Sequence, residues 1–244
     1  MEDVTGRADL QLHSDLGDGL SSLEEILEAA ERASLDVIAL TDHDDIRGAF
    51  TLRDIASRRS SPVEVVPGVE VTTRSGHLLA LWIEDEIPMF CSLVDALARV
   101  HAAGGLAVVP HPLSYLTFSI GEGALRQLAA RADRLMVDGI ELRNPSYAGR
   151  VRVSRAAWLN AQVLHVAETG SSDAHHSALV GTCWTDFPGR TAADLRRAIA
   201  DRRTTADGRR WTLREHLDGA ARQQWRSMVR DPIKRARRRI RAKR

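Results

Sequence analysis

The chain of 244 residues reads as one α/β catalytic domain on a parallel sheet or barrel, followed by a basic, helical C-terminal extension. Three observations predict this. Strand-like and helix-like stretches alternate from about residue 8 to residue 205. Four of five short acid-and-histidine clusters directly follow an apolar run such as Val37–Leu40 or Leu106–Val109. With 43% hydrophobic residues, the chain can bury one sizeable core.

Strands are expected over residues 8–12, 36–41, 63–71, 77–83, 105–109, 138–142 and 163–168, each a short run rich in Val, Ile, Leu or Ala. Amphipathic helices are expected between them. The clearest starts at Ser21 or Ser22, with Ser21 and Glu24 spaced as a capping box and Leu23, Ile26, Leu27 and Ala30 forming the apolar face. Further helices are expected over about 90–103, 122–132, 150–161 and 191–201. The strand signal stops beyond Trp211, so residues 1–212 are assigned to the catalytic domain and 213–244 to the extension. Asp231-Pro232 is expected to break or kink that extension.

Composition narrows the class. No apolar run approaches the roughly 20 residues that span a bilayer. The first residues, Met1-Glu2-Asp3, do not open a basic-then-apolar leader, and Cys91 and Cys183 form no disulfide or thiolate pattern. A cytoplasmic protein is expected. The net charge of +1 hides a split: residues 221–244 carry 11 Lys/Arg against one Asp, which leaves 23 basic and 32 acidic groups in the first 220 residues. Such a tail suits an anionic membrane surface, placing the protein at the inner face of the membrane. Nucleic acid ranks lower, because aromatics do not interleave the basic residues.

The five clusters are Asp9–His13, Thr41–Asp44, Pro67–Glu70 with Gly76-His77, Pro110–Pro112, and Ser172–His175. Side chains at the carboxyl ends of several strands converge on one mouth. His13, His43, His77, His111 and His175 are imidazole ligand candidates, Glu70 and Asp173 are anionic ones able to bridge two ions, and Asp18, before Gly19, could close another site. This donor set suits zinc, iron and manganese.

In these clusters the chain resembles the polymerase and histidinol phosphatase (PHP) family over roughly residues 7–205. The matching text is Asp9-Leu-Gln-Leu-His13-Ser14 with Asp18-Gly19, Leu40-Thr-Asp-His-Asp44, Pro67-Gly-Val-Glu-Val-Thr72 with Gly76-His77, His111-Pro112, Asp138-Gly-Ile-Glu141, and Gly170-Ser-Ser-Asp-Ala-His175. The resemblance implies a distorted (β/α)7 barrel of seven strands and a site for two to three divalent ions (Mn, Zn or Fe). His13, Glu70 and Asp173 would hold the first, Glu70, His77 and His111 the second, and Asp18, His43 and His175 the third. The chain departs from the family at Gln11, where the Asp-x-His-x-His motif has its first His. An amide oxygen is a poorer ligand for zinc or iron, which weakens the first site or tunes it toward a harder ion.

The expected function is a metal-dependent phosphoesterase acting on a phosphomonoester of a small phosphorylated metabolite through metal-activated water. Two alternatives stand beside it: a phosphodiesterase or 3′-exonuclease, and a non-catalytic metal-stabilised module that binds an anionic ligand. Asp42, Asp44 and His176 lie beside ligands and are candidates for the general acid, with hydrogen-bonding support of the ligands as the other role. Arg143 is a candidate phosphate grip. His101, His165 and His216 are read as structural, and the loop Ser114–Gly121 with Tyr115 and Phe118 as the source of specificity. The chain lacks the phosphate-binding loop and nucleophile-elbow motifs, so neither nucleotide-switch nor serine-hydrolase chemistry is supported.

Overall fold

The computed structural model describes residues 5–217. Among these, nine strands, β1 (Thr5–Leu12), β2 (Val37–Leu40), β3 (Glu64–Thr73), β4 (Gly76–Leu81), β5 (Leu106–Val109), β6 (Gly139–Arg143), β7 (Ala167–Gly170), β8 (Cys183–Pro188) and β9 (Thr205–Gly208), form one sheet. Six α-helices accompany them: α1 (Leu23–Arg32), α2 (Arg47–Arg58), α3 (Leu93–Ala102), α4 (Glu122–Ala129), α5 (Val153–Leu159) and α6 (Ala192–Ala200).

The sheet order is β7-β6-β5-β4-β3-β2-β1-β8-β9. Pairing is parallel from β1 to β3 and from β5 to β7, and antiparallel around β4 and β8. The two ends of the sheet meet through side chains. The Thr185 hydroxyl accepts the Gly170 amide at 3.0 Å and donates to the Gly170 carbonyl at 2.9 Å. Thr204 donates to the Glu168 carbonyl at 2.6 Å, and the Glu168 carboxylate accepts the Ala206 amide at 3.4 Å. The result is a nearly closed barrel.

One end of that barrel is stoppered by α6. Its Leu195, Ala198 and Ile199 join a buried cluster with Leu10, Ala39, Val66, Leu81, Val108 and Phe187 from strands around the barrel. The entry to α6 is tied to the starts of β2 and β3: the Ala192 amide donates to Glu64 at 2.9 Å, and Arg190 pairs with Asp36 at 2.9 Å. The opposite end, where the parallel strands finish, is left for side chains that do chemistry.

The expected seven-strand count gives way to nine. Six of the seven expected strands form in place; the seventh, expected over 163–168, is displaced to Ala167–Gly170 because Asn160–Leu164 continue α5 as a π-helical turn, and β8 and β9 add to the set. In β8 the residues Cys183, Thr185 and Phe187 alternate inward as a strand should, whereas β9 (Thr-Ala-Asp-Gly) has no apolar face and is ordered only by its partner. The sheet is also mixed rather than parallel. A tight turn at Arg74-Ser75 folds β4 back on β3, with Gly76 at φ +131° packed so closely on Ser119 that a Cβ would collide with it. The helix α2 is a further addition; it starts at Ile46 without a side-chain cap and buries small residues, Gly48, Ala49 and Ala56, beside Leu52. The capping box of α1 uses Ser22 and Glu25 instead of Ser21 and Glu24.

The chain separates into two units at Arg210/Trp211. In the second, a helical turn over residues 213–217 is capped by Thr212, whose hydroxyl accepts the Glu215 amide at 3.3 Å. The basic run 221–244 and the expected break at Asp231-Pro232 lie outside the described residues. Among the described residues no helix is long and apolar enough to cross a membrane.

A buried carboxylate joins β1 to the loops beyond β7. Asp9 accepts the Ser172 amide at 2.9 Å, the Ser172 hydroxyl at 2.5 Å and the Gly181 amide at 2.9 Å, with no exposed surface. Burial pushes its carboxyl from the ordinary 3.8 up to about 6, against the pull of these hydrogen bonds. The folded state therefore holds this proton more tightly than the unfolded chain. The associated stability is fully present below pH 3.8 and is lost as pH rises to about 6. At 1.36 kcal/mol per unit this amounts to about 3 kcal/mol. Asp9→Asn should remove this component, so the stability of the wild type relative to the variant should fall by that order between pH 4 and 6.5 in denaturant titrations. A difference that is flat across this window would show that Asp9 does not titrate as described.

Candidate metal centre

The open end of the barrel gathers the clustered acids and histidines. His13 follows β1, its amide donating to the Ala174 carbonyl at 3.0 Å. Glu70 lies in β3, and the residue beside it in space, His43, bridges to it from just beyond β2. His77 belongs to β4, His111 follows β5, and Asp173 and His175 follow β7. Asp18 arrives on the loop before α1. Gly19 lets that loop cross His13, since a Cβ there would lie 2.1 Å from the His13 carbonyl oxygen.

Glu70 is the hub, with 1% of its surface exposed. Its Oε1 stands 2.7 Å from His77 Nδ1 and 3.2 Å from His111 Nε2. Its Oε2 stands 3.2 Å from His13 Nε2 and accepts the Gln11 amide at 2.8 Å. A second focus is Asp18, whose oxygens lie 3.1 Å from His175 Nε2, 3.4 Å from His13 Nδ1 and 3.8 Å from His43 Nε2. Asp173 Oδ1 is 3.3 Å from His13 Nε2. The imidazoles are layered, with His13 stacked on His175 at 4.2 Å between centroids and tilted against His43 at 5.0 Å.

Ligand-type atoms fall within 4.8 Å of one another in three groups: His13, Glu70 and Asp173; His43, Glu70 and His77; and His13, Asp18, His43 and His175. The first coincides with the set that the family resemblance implies. In the second, His43 stands where His111 was expected, although His111 Nε2 still faces the shared Glu70 oxygen. The third adds His13. All eight expected ligands are thus brought to one mouth.

Charge pairing overrides burial in this cluster. Burial alone would raise the Glu70 carboxyl, but His111, His13 and His77 hold it well below the usual range. Burial opposes a charged His13, yet Asp173 and Glu70 raise it well above its ordinary value, and Glu70 in the same way lifts His111 to about 9. Asp18 is pulled down against burial by His175, His13 and His43. Desolvation lowers His43.

The cluster fits divalent ions. Both ring nitrogens of His13, Asp18 Oδ1 and Gln11 Oε1 are sealed from solvent with no hydrogen-bond partner. The carboxylates near His13 attract it through charge without meeting hydrogen-bond angles. Buried polar atoms are rarely left in this condition, and each costs about 1–3 kcal/mol. Lone pairs of this kind, converging from imidazole and carboxylate, are what zinc, iron or manganese bind.

Other polar residues hold these ligands in place. His111 Nδ1 is bonded to Ser119 at 2.9 Å, which turns Nε2 toward Glu70. The His111 amide donates to Glu141 at 2.5 Å, and Glu141 also takes Ser171 and Asn144. Burial pushes the Glu141 carboxyl up to about 7. The expected general-acid candidates Asp42 and Asp44 are engaged in similar work. Asp42 takes the Ser14 amide at 2.7 Å and its hydroxyl at 2.5 Å, and Asp44 takes the Thr72 amide at 2.8 Å. His176 Nδ1 accepts the Ala178 amide at 3.0 Å, which leaves its proton on Nε2. Arg143 is turned to β9, donating to the Gly208 carbonyl at 2.7 Å and lying 3.7 Å from Asp207. His101 pairs with Asp138 at 2.9 Å and stays outside the cluster. Asp44, His111 and Asp173 adopt left-handed backbone conformations at φ 52°, 31° and 52°. Such strain gathers where geometry serves function. Ser119, Ser171 and Asn144 carried no sequence signal, because Ser and Asn are common in any loop.

Two outcomes follow for metal binding. Binding must displace the proton that His111 keeps up to about pH 9. Affinity in chelator competition should therefore rise between pH 6.5 and 8.5, by about tenfold per unit for each displaced proton. A flat profile would place His111 outside the ion's reach. Gln11→His should tighten the group formed by His13, Glu70 and Asp173 and shift preference toward zinc or iron, read by elemental analysis. Unchanged stoichiometry and preference would remove Gln11 from this site.

The PHP-domain family model matches residues 9–134, and the PHP-associated model matches residues 154–204. An uncharacterized protein of Methanocaldococcus jannaschii is 30% identical over 149 residues, 57% of this chain and 81% of that protein. The phosphoribosyl 1,2-cyclic phosphate 1,2-diphosphodiesterase of Eggerthella lenta is 34% identical over 38% of each chain. A 5′-3′ exoribonuclease of Haemophilus influenzae is 31% identical over 38% of this chain and 35% of that enzyme. The chain thus matches well under half the length of these two enzymes. A two-domain protein of Bacteroides vulgatus containing a predicted PHP-like metal-dependent phosphoesterase shares the fold at a TM-score of 0.69 and 22% identity, over 84% of this chain and 65% of that one. Matched by the PHP-domain model across more than half its length, the chain belongs to the PHP-domain family.

Proposed function

We propose that the protein hydrolyses a phosphomonoester of a small metabolite at a centre of two to three divalent ions, manganese, zinc or iron. The observation that carries this reading is Glu70, a buried carboxylate ringed by imidazoles from three elements, with orphaned ligand atoms beside it. Divalent ions held there supply Lewis acidity toward phosphoryl oxygens and acidify water near neutral pH.

The chain's own residues supply position and charge. Glu70 with His13 and Asp173 would hold one ion, Glu70 with His77, His43 and His111 a second, and Asp18 with His175, His13 and His43 a third. Asp42, Asp44 and Glu141 lock the loops that carry them. His176, next to His175 in the chain, would be the proton donor to a leaving alkoxide; its Nδ1 accepts the Ala178 amide. Phosphoryl transfer asks little more of a protein than positioning and charge compensation. Phe118, edge-on to His77 at 5.4 Å, and Tyr115, 74% exposed, border the mouth where the organic part of the ester would rest.

A small substrate is favoured over nucleic acid by charge. The first 220 residues hold nine more acidic than basic groups, which repels long polyanions outside the pocket. A second reading, diester hydrolysis, is favoured by the names of the Eggerthella lenta diesterase and the Haemophilus influenzae exoribonuclease.

Protein reconstituted separately with each metal and offered monoesters, diesters and oligonucleotides should turn over a monoester fastest. Faster diester or oligonucleotide cleavage would promote the second reading. Glu70→Ala should leave at most one ion per chain, in the group around Asp18 that lacks Glu70, and lower activity by more than about 100-fold, beyond the usual cost of losing a residue that only supports a ligand. Full metal content in that variant would end the assignment of Glu70 as the shared ligand.

A further inference from the structure

Apart from the carboxylate–imidazole cluster, four arginines converge on one recess. Arg143, Arg150, Arg209 and Arg210 line a cavity of about 80 Å³ together with Asn144 and Cys183. At roughly 10–15 Å³ of such volume per water, it has room for a small oxyanion. Four arginines around one recess make its surroundings positive, which favours an anion there, although Arg143, Arg209 and Arg210 are also exposed to solvent. The protein engages some of these side chains itself. Arg143 donates to the Gly208 carbonyl at 2.7 Å and stands 3.7 Å from Asp207, and Arg209 donates to the Arg210 carbonyl at 3.3 Å. Arg150 is the decisive member. Its Nε is sealed from solvent and has no hydrogen-bond partner, and its guanidinium lies 5.5 Å from the Tyr147 ring. The residue as a whole is half-buried, but a sealed N–H without an acceptor is uncommon and calls for one.

We propose that this recess is an anion site for a tetrahedral phosphate dianion. Forked guanidinium donors match phosphate oxygens in pairs, which a point charge cannot do. The recess sits beside the metal centre. Asn144, in its wall, donates to Glu141 Oε2 at 3.1 Å, and the same oxygen accepts the His111 amide at 2.5 Å. Arg143 lies at the end of β6, and its carbonyl accepts the Ser171 amide at 3.1 Å, two residues before Asp173. Two sources of phosphate fit: a second phosphoryl group on the substrate, which rests on the phosphoesterase reading, and free inorganic phosphate, which does not.

The test uses full-length, metal-loaded protein and inorganic phosphate, with binding followed by calorimetry. The wild type should bind two phosphates per chain, one at the metal centre and one in the recess. Arg150→Met combined with Arg209→Met should lose one of them or weaken it at least tenfold, whereas Glu70→Gln should lose the other and keep the recess. Arg150→Lys should weaken the recess less than Arg150→Met. Phosphate should raise the melting temperature of Glu70→Gln, and adding the two arginine substitutions should abolish that rise without lowering the melting temperature in phosphate-free buffer. Recess binding that is unchanged in the double arginine variant overturns the proposal, as does a wild type with no second site.

Kinetics then separates the sources. If the arginine substitutions raise KM for a bisphosphorylated ester but not for its monophosphorylated analogue, the occupant is the substrate's second phosphoryl group. If the two KM values stay in the same ratio while arginine-dependent phosphate binding persists, the occupant is free phosphate. Arginine-dependent binding in a protein that hydrolyses no ester keeps the recess and removes the phosphoesterase reading.

Discussion

Glu70 sets the geometry of the mouth, because a carboxylate with 1% exposure must satisfy its charge from its neighbours. Those neighbours are Gln11 on β1, His13 beyond it, His77 on β4 and His111 beyond β5. One side chain therefore fixes the relative positions of residues up to 100 apart in sequence. The arrangement is costly in isolation. It becomes favourable only as a unit, since Glu70 favours the charged forms of His13 and His111, and these in turn stabilise the Glu70 anion. Positive ions placed among the same atoms take over the role that protons play without them.

Around this hub, acids outside the ligand groups, buried except for the half-buried Asp44, anchor the loops. Asp9 holds the Ser172 region, Asp42 holds Ser14, Asp44 holds Thr72, and Glu141 holds His111 and Ser171. Each anchored position is a ligand or lies within two residues of one. Burial raises Asp9, Asp42 and Glu141, whereas the ligand carboxylates Glu70, Asp18 and Asp173 are lowered by their imidazoles. Carboxylates of similar chemistry are thus separated by surroundings into supports that favour a proton and ligands that favour a charge. The strand irregularities between Asp9 and Leu12 and between Glu141 and Arg143 fall in the same places, and they re-aim side chains at the mouth.

Much of this was legible in the sequence. The eight ligand-type residues could be named because His and acids after apolar runs are an uncommon pattern, and strand ends converge in space. The apolar strands were legible from their own composition, whereas β7 (Ala-Glu-Thr-Gly) was expected too early because the apolar residues before it end a helix. What the sequence hid depended on partners. The strand β9 has no hydrophobic face and exists because β8 pairs with it. The helix α2 lacks a cap and buries mostly Gly and Ala, so its periodicity is faint. Asp42 and Asp44 were open to two roles from their place beside His43, proton donor or support, and the hydrogen bonds to Ser14 and Thr72 that favour support could not be read from spacing. Arg143 follows a ligand-bearing strand, yet its side chain turns toward β9.

The seam between the ends of the sheet is made by Thr185, Thr204, Glu168 and Arg143, with no backbone ladder between β7 and β9. Whether this topology is a barrel or an open sheet therefore depends on four polar side chains. Backbone ladders persist through most substitutions, but a side-chain hydrogen bond does not. A lineage could loosen this seam by exchanging those four side chains while leaving every strand, every register and the mouth's residues as they are. Closure here is an evolvable trait, separable from the chemistry it surrounds.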